Sequence, residues 1–314
     1  MDEDQNVTYI TLGGHVELHK YRYLYFIIMF TVYILIICFN STIVCLIWIQ
    51  KNLHEPMYIF IAALLMNSVL FSSALYPKLL IDFLSEEQII SYPGCLSQYV
   101  LFYSLCGSEF LLLAAMAYDR YVSICKPLQY HTIMTKTNII ITLVSAWLLP
   151  PSNMILTPAL VAKRKLCDFT LKGIFCNNSV LKLQCVKSTV ITVYGVVILF
   201  TFSIFPVFFI FFTYTNILRI CYKSSSGVRK RAAETCLPHL LVLISLVCII
   251  SYDVIVVRLE TNFPKTIHLV MSLQVIVYHP LFNPLIYGLN MREISKHLNR
   301  LFCQAVISVL CSLQ

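Results

Sequence analysis

Residues 24–49 read LYFIIMFTVYILIICFNSTIVCLIWI and hold no Asp, Glu, Lys or Arg. An α-helix rises about 1.5 Å per residue, so this stretch is long enough to cross the ~30 Å hydrocarbon core of a bilayer. Six further apolar runs follow, at roughly 57–83, 96–118, 139–161, 188–218, 237–257 and 266–289. Inside lipid the backbone polar groups must be satisfied within the segment, which makes each run a helix and not a strand. The fifth run exceeds the hydrocarbon thickness and is expected to project beyond it. The sixth and seventh have the least defined limits, because Asp253, Arg258, His268 and His279 interrupt them. The pattern predicts an all-α membrane protein: a seven-transmembrane helix bundle over 24–289, an extracellular N-terminus over 1–23, and a cytoplasmic tail over 290–314 with a short amphipathic helix.

Composition agrees. Of 314 residues, 59% are hydrophobic and 12% charged, with a mean hydropathy of +0.79. Soluble domains carry about 25% charged residues, so this much apolar surface must in large part face lipid. The net charge of +8 comes without a long basic tract. It fits loops facing anionic lipid and gives no reason to expect a nucleic-acid partner. Thirteen cysteines are too few and too scattered for a disulfide miniprotein. Residues 1–20 contain Asp2, Glu3, Asp4 and Glu17 and no apolar stretch, so the first run is expected to serve as a signal anchor.

Seven crossings put the termini on opposite sides. With the N-terminus outside, 12 Lys and Arg fall on the cytosolic side and 11 outside, which decides nothing by itself. The orienting bias resides in short loops. One loop of about 26 residues holds Lys163, Arg164, Lys165, Lys172, Lys182 and Lys187, and without it the outside count falls to five. That favours an external N-terminus. Two sequons agree with it, Asn6-Val7-Thr8 and Asn177-Asn178-Ser179, so Asn6 and Asn177 are candidate glycosylation sites. A third, Asn40-Ser41-Thr42, lies mid-helix and is expected to be silent. Cys95, Cys167, Cys176 and Cys185 fall on the same outer side, where disulfides form. Four cysteines allow three pairings, and spacing does not choose among them.

Charges within spanning segments are costly and face a bundle interior. Glu109 sits in the middle of the third run, either as an ion or proton site or as a protonated carboxyl bonded to a neighbouring helix. Asp253 is read as snorkelling to the outer interface. Asp119 and Arg120 close the third helix at its cytosolic end, where an adjacent acid can hold the guanidinium at rest and release it to a partner.

That pair lies within MAYDRYVSIC, residues 116–125, followed by Lys126, Pro127, Leu128 and Tyr130. The stretch closely resembles the signature of vertebrate odorant receptors, which are rhodopsin-like, G-protein-coupled receptors. Leu53-His54-Glu55-Pro56-Met57-Tyr58, Pro77-Lys78, Gly94-Cys95, Trp147, Arg231-Ala232, Thr235-Cys236-Leu237-Pro238-His239-Leu240 and Pro280-Leu281-Phe282-Asn283-Pro284-Leu285-Ile286-Tyr287 resemble further family elements, in family order. The resemblance covers about residues 20–303, and its details look most like fish odorant receptors.

The resemblance implies one disulfide from Cys95 to Cys176 and a second from Cys167 to Cys185, both over the ligand pocket. It implies a plasma-membrane location, in the cilia of olfactory sensory neurons, no cofactor, a small-molecule odorant as ligand and a stimulatory, cyclase-activating heterotrimeric G protein as partner. The pocket is expected in the outer half, between the third, fifth, sixth and seventh helices. Helical phase carried outward from Arg120 offers Phe102, Tyr103, Cys106 and Gly107; the fifth helix offers Ile198, Leu199 and Phe202, and the sixth Ile250, Ser251 and Val254. The switch set is Asp119, Arg120, Tyr121, Tyr214, His239, Asn283, Pro284 and Tyr287, with Arg120, Tyr214 and Tyr287 rearranging as the sixth helix swings out at its cytosolic end. The third cytosolic loop, with Arg219, Lys223, Arg229, Lys230 and Arg231, is short and basic. Residues 290–303 form the amphipathic stretch along the inner leaflet and end on Cys303, either a palmitoylation site or a plain thiol.

The chain departs from the family at two places. Where many rhodopsin-like receptors carry an Asp that helps bind sodium, counting back from Pro77 reaches Ser68, with Asn67 beside it, so Glu109 is left as a weak sodium site at most. Eight residues after His239, an expected Phe-Tyr pair is replaced by Leu246-Val247-Cys248. Rival classes are weaker. A transporter should show internal repeats or paired broken helices, and none are visible. A membrane enzyme should show a polar cluster such as His-Glu-x-x-His, which is absent. A receptor for amines would want an acid near Phe102.

Arg258, at the outer end of the sixth helix, matches an Arg found in the family branch associated with water-soluble odorants. Its planar fork suits a carboxylate, which makes the ligand a small anion or zwitterion. The other reading is an Arg that snorkels or pairs with Glu260. On the anion reading, Arg258→Ala abolishes responses to carboxylic acids at unchanged surface expression; a dose-response curve identical to that of the parent chain would remove it.

Overall fold

A computed structural model of the chain describes residues 8–16, 18–162, 164–186, 188–222, 236–237, 239–248 and 264–312, with Gly227 and Ser251. Among the described residues, six helices are long and apolar enough to cross a membrane: Lys20–Ile49, Pro56–Leu84, Tyr92–Cys125, Lys136–Val161, Thr189–Tyr222 and Lys265–Asn290. A shorter apolar helix, His239–Cys248, lies within the sixth run. These are called the first to the seventh helix in chain order, with His239–Cys248 as the sixth. An eighth, Arg292–Ser312, runs beyond the amphipathic stretch read from the sequence. Side-chain placement in it is described to Cys303, Phe302 excepted. Ile294 is buried and Leu298 meets Gly288, while Lys296 and Arg300 are exposed.

The helix starts follow local chemistry. Ser91 Oγ accepts from the amide of Gly94, Thr135 Oγ1 from that of Asn138, and Ser188 Oγ from that of Ile191, each occupying a donor that the first helical turn leaves free. Pro56 occupies the first turn of the second helix, where its missing N–H costs nothing. The fourth helix breaks at Ile155, between Lys136–Met154 and Leu156–Val161, after Pro150 and Pro151. The fifth contains a π-helical turn at Phe200–Ile204.

The third helix lies at the centre, packed on the second, fourth and fifth. The fifth turns Phe205, Phe208, Phe211 and Phe212 outward, as a lipid-facing surface does. Among the described residues a small three-stranded sheet accompanies the helices, and the hydropathy runs carry no sign of it. Strand β1 (Tyr9–Leu12) pairs antiparallel with β2 (Ile89–Ser91) and parallel with β3 (Thr170–Leu171), in the order β2-β1-β3. Ile10 and Leu12 point into a buried cluster with Cys95, Cys176 and Leu183. Beyond β1, the Gly14 amide donates to the Gly173 carbonyl (3.2 Å), and a Cβ on Gly14 would stand 2.6 Å from the Gly173 backbone. Only glycine allows that approach. Cys95 is bonded to Cys176 and Cys167 to Cys185, with Cα–Cα distances of 5.4 and 4.8 Å.

One contact fastens the first helix to the seventh. Pro284 has no N–H, so the carbonyl four residues back, on Pro280, has no intrahelical donor. Asn40 Nδ2 supplies it, donating to Pro280 O and Ile36 O at 2.8 Å each. Asn40 is fully buried in this role and presents no surface to a glycosylating enzyme. Replacing it by Leu strands a buried carbonyl, which costs about 1–3 kcal/mol; the Asn40→Leu protein should melt at a lower temperature in lipid nanodiscs, read by thiol-reactive dye fluorescence.

Candidate functional site

The Asp119 carboxylate is fully buried, and Arg120 folds back on it. Nε and Nη2 both donate to Asp119 Oδ2, at 3.1 and 2.6 Å. The Tyr130 hydroxyl donates to Oδ1 (2.8 Å), so both carboxylate oxygens are engaged. Tyr130 sits on a short helical turn, Tyr130–Ile133, outside the spanning segments. Burial above all, then the charge and hydrogen bond of Asp119, pushes its phenol pKa up, so it stays a donor. Tyr130 stands within the quoted motif, but nothing in its spacing assigned it this role. Tyr121 is half-buried against the apolar core.

The third, fifth and sixth helices are joined one level deeper. His239 Nε2 faces the Leu113 carbonyl at 2.9 Å, and Nδ1 is hydrogen-bonded to the Tyr214 hydroxyl. A carbonyl can only accept, so Nε2 carries the hydrogen and Tyr214 donates to Nδ1 of the neutral ring. Tyr287 is buried in the same core cluster, and its hydroxyl has no hydrogen-bond partner among the described residues.

Midway along the bundle Glu109 meets the seventh helix. Asn283 Nδ2 donates to Glu109 Oε1 (3.0 Å) and to Ser68 Oγ (3.2 Å), and His279 Nδ1 lies 3.3 Å from the same Glu109 oxygen. The last distance suits an ion pair, but the ring is not aligned for a hydrogen bond, and neither ring nitrogen has such a partner among the described residues. Pro284 follows Asn283 and is buried beside it. His279 was read from the sequence only as an interruption of the apolar run.

Towards the disulfide end, Phe102 sits in an aromatic cluster with ring centroids 5.5 Å from Phe71, 4.8 Å from Tyr103 and 5.0 Å from Phe175. Cys106 packs into the same cluster with Tyr76, Val275 and Ile276. The Tyr103 hydroxyl accepts from the amide of Asn178, and Gln98 Oε1 from that of Cys176, which pins the long loop to the third helix. Asn177 Oδ1 caps the 3-10 turn that follows it, accepting from Ser179 N. Gly107 and Phe202 meet one another: a Cβ on Gly107 would stand 3.0 Å from Pro150 and 3.5 Å from Phe202, so both lie in the seam of the third, fourth and fifth helices. Ile198 and Leu199 are half-buried and Ser251 is exposed. Asn6, Ile250, Val254 and Arg258 lie outside the described residues, as do Asp253 and most of the basic third loop. The described residues therefore gather Phe102, Tyr103 and Cys106 with the second and seventh helices and the long loop. Phe71 and Phe175 escaped sequence reading because an apolar residue packed inside the bundle and one facing lipid look alike in sequence.

A membrane bundle with a buried acid–arginine pair at the end of its central helix has the layout of a rhodopsin-like G-protein-coupled receptor. Comparison with known proteins narrows the class. The olfactory receptor family model matches residues 29–305. The chain is 34% identical to Olfactory receptor 1 of Rattus norvegicus over 298 residues, 92% of this chain and 93% of the relative. It is 35% identical to Olfactory receptor 1E16 of Mus musculus, with the same coverage, and 32% identical to Olfactory receptor 11A1 of Homo sapiens over 96% of this chain and 95% of that one. The chain belongs to the olfactory receptor family. It is a seven-transmembrane, multi-pass membrane protein, a signalling receptor and not an enzyme, with a small-molecule ligand and a G protein as partners.

Removing the Tyr130 hydroxyl takes one hydrogen bond from Asp119, worth about 1 kcal/mol or roughly a fivefold shift in equilibrium. Tyr130→Phe is expected to raise ligand-free nucleotide exchange on the G protein by about that factor, measured in membranes with matched receptor content.

Proposed function

We propose that the chain is an odorant receptor with its N-terminus outside the cell, which takes a small anionic or zwitterionic odorant into the outer half of the bundle and activates a stimulatory heterotrimeric G protein. The observation that carries this reading is the buried Asp119–Arg120 pair, with Tyr130 on the second oxygen. A guanidinium so held is a latch, and a ligand opens it only by preferring the arrangement in which it is released. Asp119, Arg120, Tyr121, Tyr214, His239, Asn283, Pro284 and Tyr287 act in that change. Tyr214 and His239 tie the fifth helix to the sixth and third, so an outward swing of the sixth breaks or carries that bond.

The ligand contacts proposed are Phe102, Tyr103 and Cys106, with Ile198, Leu199, Phe202, Gly107, Ile250, Ser251, Val254 and Arg258. The aromatic cluster around Phe102 supports the first three as an apolar wall, and such walls are typical of small-molecule pockets. The Cys95–Cys176 bond braces the loop above it. This orientation puts β1 and both disulfides in an oxidising space and makes Asn6 and Asn177 glycan sites. The eighth helix then lies along the cytosolic leaflet, and the receptor works at the plasma membrane of olfactory sensory cilia.

The test is a cyclic-AMP reporter in cells expressing the chain, challenged with amino acids, short carboxylic acids, steroids and nucleotides, beside an Arg120→Ala version at equal surface expression. A response to amino or carboxylic acids that vanishes in Arg120→Ala is expected. A response to steroids alone would overturn the anionic ligand, and a response kept by Arg120→Ala would overturn the latch.

A further inference from the structure

Glu109 is the acid that the sequence left as a weak sodium site, and its neighbours do not suit one. A hard cation is held by a shell of oxygen atoms, usually with more than one carboxylate or carbonyl. The Glu109 oxygen that faces the seventh helix meets nitrogens instead: Asn283 Nδ2 at 3.0 Å and His279 Nδ1 at 3.3 Å. The second Asn283 hydrogen goes to Ser68 Oγ (3.2 Å), and Ser68 passes its own to the Leu64 carbonyl (3.2 Å). Both amide hydrogens are thus committed. Turning the amide over would set its oxygen against the carboxylate, two acceptors face to face, so the chemistry fixes its orientation. The second helix offers a hydroxyl at Ser68, and Asn67 beside it donates to the Leu105 carbonyl (3.0 Å). No second acid reaches the cluster among the described residues: Asp82 is paired with Lys78, and Asp119 with Arg120. The first helix contributes Asn40, engaged on Pro280, and the described part of the sixth contributes His239, engaged on Leu113 and Tyr214. Tyr287 stands one turn beyond Asn283.

We propose that His279 and Asn283 take the place of a cation, holding Glu109 in a clasp of the second, third and seventh helices that needs no sodium. His279 is a positioning residue here. Its Nδ1 stands 3.3 Å from an oxygen of a carboxylate that is 6% exposed and needs compensation, a distance that suits a charge contact. The clasp makes the resting receptor indifferent to extracellular sodium and moves control of the third-to-seventh helix contact to the protein's own side chains.

The experiment uses the full chain in lipid nanodiscs and requires neither odorant nor G protein, so it stands or fails apart from the proposed function. Melting midpoints are compared in sodium chloride and in choline chloride at equal ionic strength. A cation that binds the folded state raises its midpoint by mass action. The parent chain is expected to melt at the same temperature in both salts, within about 1 °C. Ser68→Asp, which adds a second carboxylate, is expected to gain a saturable rise with sodium. His279→Ala is expected to melt lower than the parent, and His279→Gln, which keeps an N–H donor, to recover part of the loss. A saturable sodium-dependent rise in the parent chain overturns the proposal, and this comparison needs no variant to fold. A His279→Ala midpoint equal to that of the parent in both salts overturns the role of His279.

Discussion

Hydrocarbon offers no hydrogen bonds, and this chain answers that constraint one group at a time. Pro284 frees a carbonyl, and Asn40 arrives from another helix to take it. Glu109 brings a carboxylate to mid-bundle, and Asn283 meets it. His239 brings two ring nitrogens, and Leu113 and Tyr214 occupy both. Lipid tails are as apolar as leucine, so apolar contact alone gives helices little reason to prefer each other over lipid. The polar bonds supply register. Each ties a particular depth of one helix to a particular depth of another, and together they run from the middle of the bundle to its Asp119 end.

These bonds divide the molecule. Towards the disulfide end, rings and a small sheet do the packing, and the long loop is pinned to the third helix through Cys176, Gln98 and Tyr103. Towards the other end, an apolar cluster that includes Leu112, Ile217 and Met291 packs the helices, and a short list of polar pairs fixes their register. The two ends are thus held by different means. What links them is the third helix, which carries Phe102, Glu109 and Asp119 on one rigid rod.

The helices were legible because hydropathy is a property of a residue and its near neighbours. Residues 24–49 and 57–83 need no partner to be read as spanning, and six of the seven runs lie on observed helices that mostly extend a few residues past them, where polar ends continue the turn. The pair at Asp119 and Arg120 was legible for the same reason, being adjacent in sequence. Contacts across helices were not. Tyr130 meets Asp119, His279 meets Glu109, and Phe175 meets Phe102 across separations that no local pattern encodes. Strand β1 was hidden too: four residues are too short to show an alternation, and both of its partners are remote. Ile250, Val254 and Arg258 lie outside the described residues.

That hidden strand sets an order of assembly. Tyr9–Leu12 is synthesised before either of its partner strands, yet it pairs with Ile90 and with Leu171. Non-local pairing of this kind must wait for the intervening chain. The strand therefore has no complete place to dock until the first four spans are inserted and the long loop after the fourth has emerged. The same strand fills the middle of its sheet, so neither β2 nor β3 has a neighbour until it arrives. The strand made first of the three is the last to find its place, and the sheet is closed by its earliest member.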